Sequence, residues 1–468
     1  MTKQKKKLVL VNPLNTSTKG LVIHRQVIYP PLGLGIIATL TPDDWEVELI
    51  DENFDSFEYI DADLVGITAL TSSVTRAYEI ATIYEEKGTP TVLGGIHASM
   101  MPEEAKKIVS AVVVGEVESV WKTLLEDFTK GKMKNQYTGK LLPMEEMVRP
   151  KHEIFHKDYK FSSVQTSRGC PMNCEFCSVP SFNGNSYRYR PIEDVLDELE
   201  TINHSMVYFV DDNLIGYGKR AQKRTIEFCN GIIERGIKIE WFCSASMNFA
   251  DNEEVIELAA KAGCRMVLLG IESERIDQLQ DMNKRLNAKM LKIDSYEIVF
   301  NKIHKYGIAV LGAFIYGLET DTPETMKART KYINNAAIDS VQATVLTPLP
   351  GTRLFNRMQE DGKIKFNNFP QDWQHYHFGE VVWNHDLMNQ ETMDKEISIN
   401  WHELYNEKIL KKKFIRTLKQ TKNPIAGIWS YGSNIQYHNL VFEHDDSRPQ
   451  LSLEDIFGLK DVESTPFM

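Results

Sequence analysis

Short runs rich in aliphatic and β-branched residues recur through residues 1–130: LVLV (8–11), VELI (47–50), LVGIT (64–68), TVLGG (91–95) and AVVVG (111–115). Runs without polar alternation predict strands buried in a parallel sheet. Between the third and fourth, Ala77, Ile80, Ala81 and Tyr84 recur at helical spacing, and Gly88 stops that helix. Strands alternating with helices predict a doubly wound sheet whose ligand lies at the carboxyl ends of its strands. Thr71, Ser72, Gly94, Gly95, His97, Gly115 and Glu116 fall there. Residues 131–161 are polar and interspersed with Gly131, Gly139, Pro143 and Pro150, the composition of a linker.

A second series opens after residue 161: SVQT, MVYFVD, IEWFC, RMVLLGI, IAVLGAFI and VQATVL. Roughly 25 to 45 residues separate successive runs, enough for a crossover helix each time. Pro191 stands in a first turn ahead of Ile192, Val195, Leu196 and Leu199; Asp251 with Glu254 makes a capping-box pattern closed by Gly263; Thr322-Pro323 opens another helix. Six such units over 162–360 predict an incomplete parallel barrel with its chemistry at the carboxyl ends of the strands. Beyond Gly362 come Trp373, His375, Tyr376, His377, Trp383 and His385, then one helical stretch over about 391–419. An acidic, loosely held tail is expected last, and the chain has no internal repeat.

A chain of 468 residues predicts two or three domains, and its 42% hydrophobic and 25% charged content is that of a globular protein. A net charge of -11 argues against a nucleic-acid partner. Lys3, Lys5, Lys6 and Lys7 precede too short an apolar run for an export signal. The longest apolar run, over 308–315, falls far short of the ~20 residues that span a bilayer. A cytoplasmic protein without a transmembrane segment is expected.

Three of the six cysteines, Cys170, Cys174 and Cys177, lie in TSRGCPMNCEFCSVP with spacing C-x3-C-x2-C, just after the first strand of the second series. In a reducing compartment such a cluster reads as metal-binding rather than disulfide-bonded. Iron–sulfur clusters ordinarily take four thiolates, so three leave one iron open to a substrate or cofactor. The competing readings are structural zinc and incidental cysteines. Zinc wants a fourth ligand, and Cys229, Cys243 and Cys264 are scattered outside any paired motif. His204 is a further candidate that no spacing places nearby.

RGCPMNCEFC resembles the signature loop of the radical S-adenosylmethionine (SAM) superfamily. The resemblance implies a [4Fe–4S] cluster on Cys170, Cys174 and Cys177, SAM chelated through its methionyl amine and carboxylate, and reductive cleavage to a 5′-deoxyadenosyl radical. It implies SAM contacts from Phe176 near the adenine, from Asp211, Asp212 and Asn213 of VDDN, from Ser244 and Ser246, and from Glu272 of GIES. GAFIYGLETDTPE (312–324) and TPLPGT (347–352) resemble later segments that approach adenine and substrate. Loop packing for Phe176 and helix capping for Asp212 or Glu272 stand as alternatives.

The first domain resembles the cobalamin-binding domain of one class of these enzymes, carried by YPPLGLGIIA, DLVGIT, VLGGIHAS and VVVGEVE. The resemblance runs over about residues 8–360. It implies an α/β chain with an N-terminal doubly wound (Rossmann-like) cobalamin-binding domain (1–130), a linker (131–161), a partial (β/α)6 radical SAM barrel (162–360) and a mainly helical C-terminal region (361–468). Pro31, Leu32, Gly33, Thr71, Ser72, Gly94, Gly95, His97, Gly115 and Glu116 are the implied cobalamin contacts. No D-x-H-x-x-G pattern supplies a histidine below cobalt, and His97 reads as a loop contact; some relatives keep this domain shape without cobalamin.

With cobalamin, the implied reaction is C-methylation of an unactivated carbon on a small-molecule, lipid or peptide substrate, fed by an electron donor such as ferredoxin or flavodoxin. Cyclisation, oxidation or carbon–carbon coupling is the alternative, and a noncatalytic iron–sulfur or cobalamin sensor is a third. The C-terminal region resembles, more loosely, the extra domain of enzymes that include the hopanoid methylases. Its Trp373, Tyr376 and Trp383 either line an apolar pocket or pack structurally.

Overall fold

The structure, a computed structural model, describes residues 5–14, 29–293 and 295–442. Six parallel strands form the first sheet: β1 (Lys6–Asn12), β2 (Trp45–Asp51), β3 (Leu64–Thr68), β4 (Thr91–Gly94), β5 (Ala111–Val114) and β6 (Gln136–Thr138). They lie in the order β2-β1-β3-β4-β5-β6. Alternate residues of β1 explain the double winding. Leu8 and Leu10 join Leu34, Ala38, Trp121 and Leu124 on one face, while Val9 and Val11 join Ala77, Ile80, Ala81 and Tyr84 on the other.

The linker expected over 131–161 is thus shortened, because Gln136–Thr138 pairs with β5 as an edge strand. An edge strand of three residues needs no apolar run, so the pattern had no signal for it. From Gly139 the chain crosses to the second sheet through short 3₁₀ turns at Met144–Glu146 and His152–Ile154.

The second sheet comprises β7 (Ser162–Val164), β10 (Met206–Phe209), β11 (Glu240–Ala245), β12 (Cys264–Glu272), β13 (Ala309–Tyr316) and β14 (Ser340–Val345), all parallel and in sequence order from β7 to β14. These are the six expected strands. The pairing does not close from β14 back to β7, so the barrel is incomplete. A small antiparallel hairpin, β8 (Ser167–Arg168) with β9 (Arg188–Tyr189), brackets the cysteine loop.

Thr322 caps Pro323–Asn335 as expected. Asn252, not Asp251, caps Glu253–Lys261, accepting from the Glu254 amide at 3.0 Å; Asp251 closes the preceding 3₁₀ turn. Gly263, at φ 100°, ends that unit where a Cβ would fall on the Ile239 carbonyl.

The C-terminal region holds three helices in place of the one expected: Gln390–Leu404, Glu407–Thr421 and Pro424–Phe442. Asn406 restarts the helix by accepting from the Ile409 amide, and Lys422, in the left-handed region at φ 52°, ends it before Asn423-Pro424. The expected acidic tail lies outside the described residues. Trp373, Tyr376 and Trp383 are packed, with Trp373 stacked on Phe369 at 3.6 Å between ring centres.

Asp339, fully buried before β14, ties these helices to the barrel. Its carboxylate accepts from the Val310 amide (2.7 Å) and Thr417 Oγ1 (2.6 Å) and lies 2.6 Å from His304 Nε2; its carbonyl accepts from Asn434 Nδ2. Burial opposes the charge, yet His304 and the donors hold the carboxyl below its usual pKa. A depressed carboxylate stabilises fully above its unfolded pKa of ~3.9, and that contribution disappears as pH falls through the lower folded value. Asp339→Ala is expected to cost about 3 kcal/mol or more at neutral pH. Thermal melting against pH should show the deficit shrinking below about pH 4.

Candidate active site

The cysteine loop begins at Gly169, whose φ of 89° and crowding by the Ser186 carbonyl leave no room for a side chain. Segments from three strand ends pin it. The Gly169 amide donates to Asp212 Oδ2 (2.9 Å) and the Cys170 amide to the Gly184 carbonyl (3.2 Å). The Glu175 amide donates to the Met282 carbonyl after β12, and the Asn173 carbonyl accepts from Arg353 after β14.

All six cysteines are unpaired. Cys229, Cys243 and Cys264 lie buried in the barrel core. Cys170, Cys174 and Cys177 lie close together: Cys174 adds to the raised pKa of Cys170, and both add to that of Cys177, while burial raises all three thiols, Cys177 to about 12. Three thiolates, one buried and two half-buried, therefore need a cationic partner. Among the described residues no three His, Cys, Asp or Glu side chains converge on a single-ion position. The triad lacks the compact fourth ligand of structural zinc and fits a larger iron–sulfur group with one open iron.

Two groups of polar side chains border the loop. Lys284 Nζ lies 2.6 Å from Glu272 and 5.9 Å from the Phe176 ring centre. Burial opposes its charge, but Glu272 and the thiols hold the ammonium up at about 12. Glu272 itself sits at φ 64°, an uncommon value for a non-glycine residue at a strand end. In the second group Asn213 Nδ2 reaches Tyr187 Oη (3.1 Å) and Ser246 Oγ (3.0 Å), and the Tyr187 hydroxyl meets the Cys170 thiol. The Ser244 side chain pairs with the Tyr208 hydroxyl.

Asp211 stands apart. Fully buried beneath the loop, it accepts from the Thr166 amide (3.0 Å), Thr166 Oγ1 (2.9 Å) and Ser167 Oγ (2.5 Å), and Arg224 lies beside it. The strand end turns successive carboxylates opposite ways, so Asp211 braces and Asp212 carries Gly169. Lys284 and Tyr187 carry no sequence signal, since neither belongs to a local motif.

At the carboxyl ends of β3, β4 and β5 lies a cavity of about 240 Å3 lined by Leu32, Gly33, Gly94, Gly95, Gly115 and Glu116. A Cβ at Gly94 would meet nothing nearer than Val113 at 4.0 Å. Such a bare wall fits close approach of a bulky group such as the cobalamin nucleotide tail. Glu116 is held by Arg188 (2.5 Å), Arg168 (3.1 Å) and the Leu142 amide (2.7 Å), so the cavity floor is tied to the strands flanking the cysteines.

Pro31, Thr71, Ser72 and His97 do not line this cavity. Pro31 precedes the helix Leu32–Leu40, and Thr71 and Ser72 form a 3₁₀ turn. His97 enters the short helix Ile96–Met100, which turns its ring away to Thr71 Oγ1 and Glu104, both at 3.3 Å. Glu104 in turn accepts from Trp373 Nε1, so these residues join the first domain to the C-terminal region.

The family described as the Radical SAM superfamily matches residues 164–333, and the B12 binding domain matches residues 18–125. Bacteriochlorophyllide d C-12(1)-methyltransferase of Chlorobaculum tepidum is 33% identical over 392 residues, 80% of this chain and 83% of its own. Bacteriochlorophyllide d C-8(2)-methyltransferase of the same organism is 29% identical over 408 residues, 83% and 87% of the two chains. In fold, the chain is similar to the radical S-adenosylmethionine methyltransferase TsrM of Kitasatospora setae, with a TM-score of 0.62 at 19% identity, covering 76% of each chain.

Proposed function

The chain belongs to the radical SAM superfamily, in the branch carrying a B12-binding domain, and from that premise we propose that it methylates an unactivated carbon on a large, uncharged, apolar ring substrate held in the barrel. The methyltransferase assignment follows from the relatives; the substrate class rests on the lumen. When bound, the [4Fe–4S] cluster supplies the electron that cleaves SAM to a 5′-deoxyadenosyl radical, and cobalamin supplies the methyl group.

This chain's residues do the rest. Cys170, Cys174 and Cys177 would hold the cluster, with SAM binding beside it. Phe176 offers its face to the adenine, while Glu272, Asn213, Ser244 and Ser246 orient the nucleoside and methionyl groups, and Asp212 fixes the loop. Lys284 steadies the negative charge of the thiolates. Leu32, Gly33, Gly94, Gly95, Gly115 and Glu116, which line the cavity of the first domain, would hold the corrinoid.

One observation carries the substrate class. On β10 to β14 Tyr208, Ser244, Leu268, Ala313, Gln342 and Thr344 keep partial exposure between buried neighbours, the mark of side chains facing a lumen. None is charged, while Arg265, similarly placed at the amino end of β12, is paired with Glu240. Tyr208 stacks on Phe242 at 4.4 Å, and Tyr29 lies 4.4 Å from Tyr208. Burial holds the Tyr29 and Tyr208 hydroxyls above their usual pKa, hence neutral. A charged substrate would lose its hydration here without a partner, whereas an apolar ring gains contact with aromatic walls. The macrocycle of the bacteriochlorophyllides named for the relatives is such a ring, with its carboxylate side chain placed outside this lumen.

Radical SAM enzymes need an external electron donor; a cytoplasmic ferredoxin or flavodoxin fits that role. The test is anaerobic turnover with chlorin pigments beside peptide and sugar panels. Pigments alone should yield 5′-deoxyadenosine together with a one-carbon mass gain, and a ring deuterated at the reacting carbon should pass deuterium into it. Equal turnover of a charged peptide defeats the substrate reading, and 5′-deoxyadenosine without a mass gain favours cyclisation or oxidation.

A further inference from the structure

The chain as a whole carries a net charge of -11, yet residues 407–422 hold six lysines and one arginine against one glutamate. Burial sorts them. Leu410, Lys413, Thr417 and Thr421 face inward, with Lys413 donating to the carbonyls of Ile333 (3.1 Å) and Ile338 (3.0 Å). Outward, at successive spacings of four, three, four and three, stand Lys408, Lys412, Ile415, Lys419 and Lys422, with Lys411 beside them, all exposed. Lys411 alone of these lysines has an ion-pair partner among the described residues, Glu407 at 3.5 Å. Ile415 is 53% exposed in the middle of the stripe. After the turn at Lys422 the next helix presents Ile425 and Ile428, 37% and 39% exposed.

A merely solvated helix face usually mixes both signs of charge. A lysine stripe interrupted by bare isoleucines has the chemistry of a helix lying in the headgroup layer of an anionic bilayer. Its place in the fold argues against an acidic electron carrier. Asn423 Nδ2 donates to the Gly307 carbonyl (2.8 Å), just before β13, so the turn lies at the amino end of the strands. The cysteine loop lies at their carboxyl end, and the eight residues of β13 alone span roughly 26 Å. A carrier seated on the stripe would face away from the thiols it must reduce.

We propose that the outer face of the hairpin 407–428 is a docking surface for an anionic lipid bilayer. Its lysines meet lipid phosphates, and Ile415, Ile425 and Ile428 enter the headgroup boundary. The helices lie on the membrane; among the described residues no helix is long and apolar enough to cross one.

The full chain is to be sedimented with vesicles of phosphatidylcholine alone and of phosphatidylcholine mixed with phosphatidylglycerol, at low and high salt. Binding is expected only with phosphatidylglycerol and should weaken as salt screens the lysines. Lys412→Glu with Lys419→Glu should weaken it at least about tenfold. Ile415→Ser with Ile425→Ser, which leaves the charge untouched, should weaken it about fivefold. All four positions are exposed, so both variants should keep the parent's circular dichroism and melting temperature. No binding to anionic vesicles, equal binding to both vesicle types, or binding indifferent to both variants overturns the proposal. So does retention of a purified ferredoxin by the stripe when anionic vesicles are not bound.

Discussion

Cys177→Ala is expected to abolish 5′-deoxyadenosine formation, a loss of at least about 10³-fold or ~4 kcal/mol, while leaving the fold intact. The thiol stands on a loop held by backbone bonds that survive its removal, from the Cys170 amide to the Gly184 carbonyl and from the Glu175 amide to the Met282 carbonyl. Melting should therefore change little. Iron and sulfide per chain, measured after anaerobic reconstitution, should fall to background, because two thiolates cannot hold a cluster that ordinarily takes three or four. Cys243→Ala provides the contrast. That thiol is fully buried among barrel strands, apart from the loop, and acts as a small apolar side chain. Its loss should cost about 1–2 kcal/mol of stability and leave iron content unchanged. If Cys177→Ala keeps its iron and its SAM cleavage, the three-thiol reading is wrong. If the parent protein instead carries one tightly held zinc ion, the radical chemistry falls with it.

The contrast between those cysteines shows what was legible beforehand. Cys170, Cys174 and Cys177 are local in sequence, so spacing alone brings them together. The eleven strands expected all form, because short runs rich in β-branched residues have few other uses. Lys284 was invisible because it reaches the loop from beyond β12, which only the assembled barrel brings near, and Tyr187, just before β9, because it belongs to no local motif. Within VDDN the sequence could not say which carboxylate faces the loop; strand alternation decided it, burying Asp211 and aiming Asp212 at Gly169. His97 ends a strand in the sequence pattern but enters a short helix that points its ring toward Glu104, which no local pattern signals. The edge strand Gln136–Thr138 and the cap at Asn406 lack hydrophobic contrast, so periodicity passed over both.

Gly94→Leu should separate the two cofactors. Gly94 ends β4 with an ordinary backbone conformation and an open side toward the cavity, the nearest obstacle to a Cβ being Val113 at 4.0 Å. A leucine there enters without backbone strain, unlike one at Gly95 or Gly115, where positive φ and a close carbonyl would distort the turn. Its branched end would take up space in a cavity of only about 240 Å3. Corrinoid per chain, read from its visible absorption after anaerobic purification, should fall at least about tenfold, equivalent to ~1.4 kcal/mol or more. The cysteine loop lies outside the substitution, so iron, sulfide and SAM cleavage should persist while the one-carbon mass gain disappears. Full corrinoid loading in the variant would mean that the nucleotide tail does not use this cavity. Loss of iron along with corrinoid would mean that the Glu116, Arg168 and Arg188 bridge makes the two sites fold as one.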